Sequence, residues 1–533
     1  MGPRERRRWG SGGAKPPGEE TIMPRPVVLL LLVSICCISV SYTLARAQGQ
    51  AVSPLASRID PYVEKQRVVV MTDIANEPDD QMSIVRFLVY SNRFDVEGLV
   101  ATTSTWMKNR VRPDVLQVLV QAYAEVRPRL SQHEAGFPTA DALRAVIVPG
   151  QPGYGMAAVG PDKTTPGAAL ILSAAERNDP RPLWVLAWGG ANTLAQALVH
   201  ARATRSSAQV DAVVAKLRVY AISDQDDAGP WLRREFPSLH YIGIPSTQDG
   251  EQYYLATWTG ISGDRFYKNA AGADFTTFSD EWVNANIRAK GPLGKHYPRP
   301  CCIHEGDTPS FLGLIDNGLA SFMSPTFGGW GGRYVWRTYS GETRPFWTQG
   351  GDSFPGRDSS RDTVAGIDGR THTTDQATIW RWRTAFQHDF AARMDWTITD
   401  VTQANHNPSV VVNGSGGKAP IAISATVGVP VTLDAAGSRD PDGDALQFRW
   451  FFYPEAGTGI PGQPVAIAGA RPAGGGGGPG EPPPRVTLSA DRTPRVTVTP
   501  LVAGTAHVIL AVEDAGAPAL SSYRRVIITI RER

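Results

Sequence analysis

Thr72-Asp73-Ile74-Ala75-Asn76-Glu77-Pro78-Asp79-Asp80 is the stretch whose surroundings decide the fold. Directly before it, Val68-Val69-Val70-Met71 is a short apolar run of the kind that forms a strand buried on both faces. Directly after it, Gln81 to Tyr90 carries apolar residues at helical spacing. Val96-Glu97-Gly98-Leu99-Val100-Ala101 then reads as the next strand and completes a βαβ unit. Leu183 to Ala187, Leu217 to Ile222 and Leu239 to Ile244 repeat the strand signal, and Ala191 to His200 the helix signal. The expectation is an α/β domain over residues 67–404, a mostly parallel sheet with helices on both faces. Loops that leave such strands gather at one sheet edge, where open α/β sheets bind ligands, so the acidic stretch falls on the ligand side.

Outward from this core the chain changes character twice. Before it, Arg25 precedes an apolar run from Val27 to Val40 that ends near Ala45-Arg46-Ala47, a small-x-small cleavage pattern. Residues 1–47 therefore read as a signal peptide, with Met23 a candidate start, and residues 48–66 as a linker. The run is shorter than the roughly 20 apolar residues of a spanning helix, so the expectation is a secreted, periplasmic or extracellular protein with no membrane attachment after cleavage. Beyond residue 404 the periodicity falls to two. Val429 to Leu433, Leu446 to Phe452, Arg495 to Thr499, Ala506 to Val512 and Arg524 to Ile530 read as five strands of an immunoglobulin-like β-sandwich over residues 405–533. Gly474 to Gly478 reads as a flexible loop within it. At 533 residues the chain is too long for one core, which agrees with two domains.

The charge balance is even, 53 basic against 51 acidic residues, so no global field recruits a nucleic acid polymer. Of four cysteines only Cys301 and Cys302 follow the signal, which excludes a disulfide framework and a zinc site; their redox state stays open. Chemistry must come from local groups. Asp73, Glu77, Asp79 and Asp80 place four carboxylates in eight residues, and they repel one another unless a cation or protons neutralise them. Hard oxygen donors with no adjacent histidine or thiolate favour calcium or magnesium. The plain alternative is that Asp79 and Asp80 only complement the helix dipole.

These residues resemble the nucleoside hydrolases, in which an Asp-Pro-Gly-x-Asp-Asp loop after the first strand holds calcium and ribose. They look still more like the nucleoside hydrolase-like family of secreted cellulose-binding proteins, which reads Thr-Asp-Ile-x-Asn-Glu-Pro-Asp-Asp at this point. The likeness continues through Glu97 to Trp106, Trp188-Gly189-Gly190-Ala191-Asn192-Thr193, Ser223-Asp224-Gln225-Asp226-Asp227, Glu305-Gly306-Asp307-Thr308-Pro309, Asp440-Pro441-Asp442-Gly443-Asp444 and Ser521 to Ile527, so it spans most of the chain.

The resemblance implies a calcium ion held by Asp73, Asp80, Asp307 and the carbonyl of Ala191, with Asp73 also the general base that takes a proton from metal-bound water. It implies Asp79 as a sugar-binding aspartate and Asn192 as a neighbouring substrate contact. Three departures accompany it: two extra residues separate Asp73 from Asp79, Met71 stands where the hydrolase motif begins with an aspartate, and Gly306 stands where many hydrolases have a leaving-group histidine. His304 is near but displaced. The hydrolases' substrate-binding asparagine has as nearest candidates Asp224 and Gln225.

Trp106, Trp188, Trp231, Trp330 and Trp336 fall on expected ligand-side loops, where aromatic faces could stack on sugar rings. The tract Trp330 to Ser360 reads as an aromatic-lined loop, and the surroundings of His372 as either pocket wall or helix start. Asp440 to Asp444 reads as an Asp-Gly turn between strands rather than a metal loop. The expected function is calcium-dependent hydrolysis of an N-glycosidic or related glycosidic bond. Its rival is a non-catalytic protein that binds plant cell-wall polysaccharide on the same fold. Oligomeric state stays open.

Overall fold

The computed structural model describes residues 54–244, 254, 256–268, 271–299, 303–338, 342–348, 360–458 and 485–533. The expected signal peptide, the cysteine pair and the Gly474–Gly478 loop lie outside these residues.

Strand β1 (Gln66–Thr72) is buried along its whole length, as its valine run requires. It feeds helix α1 (Pro78–Val89), which begins with Pro in the first turn and leads to β2 (Phe94–Ala101). Helix α2 (Pro113–His133), β3 (Ile147–Pro149), α3 (Pro166–Glu176) and β4 (Leu183–Ala187) follow. Helices α4 (Asn192–Thr204) and α5 (Ser207–Lys216), β5 (Leu217–Ala221), α6 (Ala228–Glu235) and β6 (His240–Gly243) complete the alternation.

The sheet order is β3-β2-β1-β4-β5-β6-β8-β7, where β7 is Val335–Arg337 and β8 is Phe346–Thr348. Every pairing is parallel except that of β7 with β8. The chain runs outward from β1 to β3, then crosses back to β4 and runs the other way. The reversal at β1 and β4 opens the crevice in which doubly wound sheets bind ligands, and the acidic stretch leaves β1 at this point. The Trp330–Ser360 tract, expected as loop, supplies β7 and β8. Trp336 and Trp347 pack edge to face at 5.3 Å inside the core, so their apolar surface extends the sheet. Strands β9 (Asp362–Ala365) and β10 (Thr371–Thr374) form a small hairpin, and α7 (Arg383–Asp395) packs near α1. His372 lies on β10 and meets Asp368 Oδ1 at 3.0 Å; it is neither pocket wall nor helix start.

The C-terminal part is all β. One sheet runs β11 (Ile421–Thr426), β17 (Ser521–Arg531), β16 (Gly504–Glu513), β13 (Gln447–Phe452), and the other β12 (Val431–Asp434), β15 (Arg495–Pro500), β14 (Val486–Ser489). Trp450, Leu433, Val498 and Leu510 fill the space between them. Strands β11 and β14 escaped the sequence reading. The sandwich is sewn to the α/β domain along β17. The backbone amide of Tyr523 donates to Asn317 O at 3.0 Å, and the fully buried Arg525 guanidinium donates to the carbonyls of Leu319, Phe327 and Gly328. Gly318, at φ 93°, permits this approach, since a Cβ there would stand 1.8 Å from Tyr523 O.

Candidate metal and ligand site

After β1 the backbone turns sharply through Ala75, a non-glycine residue at φ 76°. Asn76 N closes the turn on Asp73 O at 3.2 Å. Thr72 Oγ1 accepts from Ile74 N and donates to Asp80 Oδ1, which pins the aspartate at the start of α1. Asp79 and Asp80 thus occupy the first turn of α1, where the exposed amides and the helix dipole favour negative charge. Asp307 arrives from the far end of the domain. Its loop is held by Thr308 Oγ1, 3.0 Å from Ser83 Oγ on α1, and by Trp188 Nε1, which donates to Ser310 Oγ at 2.8 Å.

Ligand atoms of Asp79, Asp80 and Asp307 lie within 4.8 Å of one another. Asp73 stands beside them, backed by Gly189, where a Cβ would come 2.8 Å from Asp73 Oδ1. Among the described residues no lysine or arginine pairs with any of the four; the nearby Arg86 is taken by Glu305 in a fully buried ion pair of 2.7 Å. Asp73 Oδ1, Asp79 Oδ1 and Asp307 Oδ2 are buried and meet no donor. Burial, and then the charges of Glu77 and Asp73, push the Asp79 carboxyl up to about 7. Burial and neighbouring carboxylates hold Asp80 and Asp307 well above the usual range. Uncompensated carboxylate oxygens converging on one point are the donor set of a hard divalent cation, so the residues present fit calcium or magnesium.

A cavity of 200 Å³ opens over this cluster, lined by Asp73, Glu77, Asp79, Asp80, Asp307, Gln225 and the aromatic side chains of Trp106, Trp258, Phe266 and Tyr267. Trp106 is 59% exposed at its mouth, and Ser104 Oγ holds its backbone amide. The structure therefore brings together six of the nine residues singled out from sequence: Asp73, Asp79, Asp80, Asp307, Trp106 and Gln225.

The other three serve the scaffold. Asp224 is buried and held by both terminal nitrogens of Arg233, at 2.9 and 2.7 Å, so its oxygens are spent on an ion pair. The Asn192 side-chain nitrogen donates to the carbonyls of Gly153 and Gly155, while its Oδ1 is buried and meets no donor. The Ala191 carbonyl accepts from Ala195 N as the first hydrogen bond of α4, and none of the three residues lines the cavity. The tryptophan platform is also corrected: Trp188, Trp330 and Trp336 are buried core, and half-buried Trp231 packs against Phe236, leaving Trp106 alone of the five at the cavity. Trp258, Phe266, Tyr267 and Ile303 were missed, because they come from a stretch with no clear periodicity. The adjacent aromatic pair Phe266-Tyr267 was the available signal.

Residues 67–334 match the family model described as cellulose-binding Sde182, nucleoside hydrolase-like domain, and residues 430–530 match that of the cellulose-binding protein Sde0182 C-terminal domain. The chain belongs to this family. One solved structure, a nucleoside hydrolase-related hypothetical protein from Saccharophagus degradans associated with carbohydrate metabolism, is 35% identical to this member. The match covers 88% of this chain and 100% of that one, with a TM-score of 0.69. A PKD domain solved in solution is 22% identical over 22% of this chain and 94% of its own, with a TM-score of 0.14, too low to bear on the fold. No curated protein matches the chain significantly. Membership of the family agrees with the nucleoside hydrolase-like sheet and with the all-β C-terminal part.

Proposed function

We propose that this protein binds carbohydrate at the acidic cavity, and that a divalent cation, calcium by preference, is held there by Asp79, Asp80 and Asp307 with Asp73 beside them. The observation that carries the reading is the set of buried, donorless carboxylate oxygens on the floor of a cavity walled by aromatic rings. When bound, the cation would neutralise the carboxylates and offer coordination positions to sugar hydroxyls. Trp106 gives a sugar ring an apolar face to lie on, and Asp73 and Asp79 offer oxygens to its hydroxyls. The printed descriptions of the matching family models, which name cellulose binding, support a plant polysaccharide as the ligand class. A polymer of that kind would be met outside the cytoplasm, in keeping with the signal-type N-terminus.

A second reading, hydrolysis of a glycosidic bond, is favoured by Asp73, whose burial raises its proton affinity as a general base requires. Binding ranks first because Gly306 provides no proton donor for a leaving group, and because Asp224 is held by Arg233.

The test is a paired assay on one preparation: retention on cellulose and sugar release from nucleosides and short β-glucans, metal-free and calcium-loaded. Calcium-dependent retention, lost in Asp80→Ala and Asp307→Ala with no release, is the expected result. Calcium-dependent release abolished by Asp73→Ala would replace binding by hydrolysis. Retention indifferent to calcium and to all three variants would remove the cavity from the function.

A further inference from the structure

Where the two domains meet, four elements bring two imidazoles, an indole and a carboxylate into one stack. His133 ends α2, Trp396 follows α7, His406 lies on the connection into the sandwich, and Asp442 sits on the sandwich turn at 440–444. Both imidazole rings lie 5.2 Å from the Trp396 ring, tilted by 3° for His133 and 26° for His406. His133 Nδ1 is 3.0 Å from His406 Nε2, and His133 Nε2 is 2.9 Å from the Thr399 carbonyl. His406 Nδ1 is 2.9 Å from Asp442 Oδ1, and the His406 backbone amide donates to Asp442 Oδ2 at 2.7 Å.

Counting hydrogens along this row gives a definite result. The row begins and ends in acceptors, a carbonyl and a carboxylate, and three contacts in series need three N–H groups. Two neutral imidazoles carry two. One more proton is required for all three contacts to be hydrogen bonds. Burial and the neighbouring His406 lower the affinity of His133 for a second proton. His133 is then the neutral ring, which donates from Nε2 to Thr399 and accepts at Nδ1. His406 is the imidazolium, with one N–H on His133 and the other on Asp442. The Trp396 face, 5.2 Å from the His406 ring, suits a cation there.

Most other charges around the row are matched. Arg129 pairs with Asp400 at 2.5 Å, and the Arg393 guanidinium, 4.9 Å from the Trp396 ring, is held by Glu134 and Asp389. Asp389 also accepts from Asn407. Asp440 accepts the amides of Asp442 and Asp444 and adds negative charge behind the turn. Arg93, paired with Glu134, and Lys418 share the wall of a 550 Å³ cavity at this seam with both histidines and Asp442. Burial lowers the Lys418 ammonium to about 8, so a step set by that group would persist in His406→Gln, whereas one set by the histidine pair would not.

We propose that His133 and His406 hold one extra proton between them and that this proton latches the 440–444 turn of the sandwich to the α/β domain. Once the proton leaves, two lone pairs face each other in one of the three contacts, and the latch weakens. The seam therefore loosens as pH rises through the titration of the pair, while the buried anchors of Tyr523 and Arg525 keep the domains joined.

The experiment is nitrogen NMR of the full chain, selectively ¹⁵N-labelled at histidine, together with hydrogen exchange of residues 440–444 across pH 5 to 9 after correction for intrinsic rates. The expected result at pH 6 is His406 protonated on both nitrogens and His133 as the Nε2–H form, with protection of the turn falling in a single one-proton step. Asp442→Asn should move that step down by about one pH unit, as loss of a carboxylate partner does. His406→Gln should abolish the step with the far-ultraviolet circular dichroism unchanged. Two neutral rings at pH 6 in the unmodified protein would overturn the proposal. So would a step that Asp442→Asn leaves in place, or protection that does not change with pH.

Discussion

A Cβ on residue 306 would stand 2.6 Å from Asp79 Oδ2, so Gly306 and Asp79 occupy space that no third group can share. The position at which many nucleoside hydrolases carry a histidine is thus closed to any side chain while Asp79 stays in the acidic cluster. Gly306→Ala should expel the Asp79 carboxylate and lower calcium affinity by about tenfold or more, a loss of roughly 1.4 kcal/mol. Calorimetric titration checks this, and Gly306→His should be no better. Unchanged affinity in both variants would mean that Asp79 is not a ligand.

Asp79 should give the metal-free protein a contribution to stability that is lost as pH rises from about 4 to 7, read as the difference in slope from Asp79→Asn. Asp79, with a folded value of about 7 against an ordinary 3.8, holds its proton in the folded state over that window while the unfolded chain releases it. At this group the folded state binds more protons, so its contribution is full at the acid side and is lost through pH 7. Saturating calcium should flatten or reverse the slope, because the bound ion replaces the protons. Denaturant melts at several pH values, with chelator and with calcium, measure both slopes. Equal slopes in the two series would exclude a cation at the cluster.

Trp106→Ala should weaken saccharide retention several-fold without altering the melting temperature, since the ring is more than half exposed at the cavity mouth. Trp188→Ala should instead destabilise by about 3–5 kcal/mol, because that ring is fully buried and its Nε1–H is spent on Ser310. Cellulose pull-down and thermal melts of the two variants separate the roles.

Tyr453→Phe should cost about 1–3 kcal/mol by leaving the buried Asp362 carboxylate without the hydroxyl that donates to it at 2.6 Å. Asp362 also receives Arg333 and Arg381, and burial, which would raise its carboxyl, is outweighed by these cations. The variant should unfold in two resolved calorimetric steps where the unmodified chain shows more nearly one, since this contact joins the sandwich to the α/β domain.

The α/β alternation, the acidic loop at the end of β1 and the sandwich were legible in the sequence because each is written in local pattern. A valine run followed by a helical period reads as a buried strand of an α/β sheet, and four carboxylates in eight residues require a cation, protons or a helix N-terminus to offset their repulsion. The partner Asp307, more than 220 positions away, could be named only through its resemblance to a family motif. Tertiary structure alone decided which polar residues were left over for function. Asp224 looks no less available than Asp73 until Arg233 arrives from another segment and takes both its oxygens. Trp188 and Trp106 are likewise the same residue type on neighbouring loops, and only packing makes one core and the other surface. Sequence by itself thus determined the chemistry on offer at the crevice. The fold determined which of it stays unpaired, because hydrogen-bond satisfaction is a property of neighbours in space.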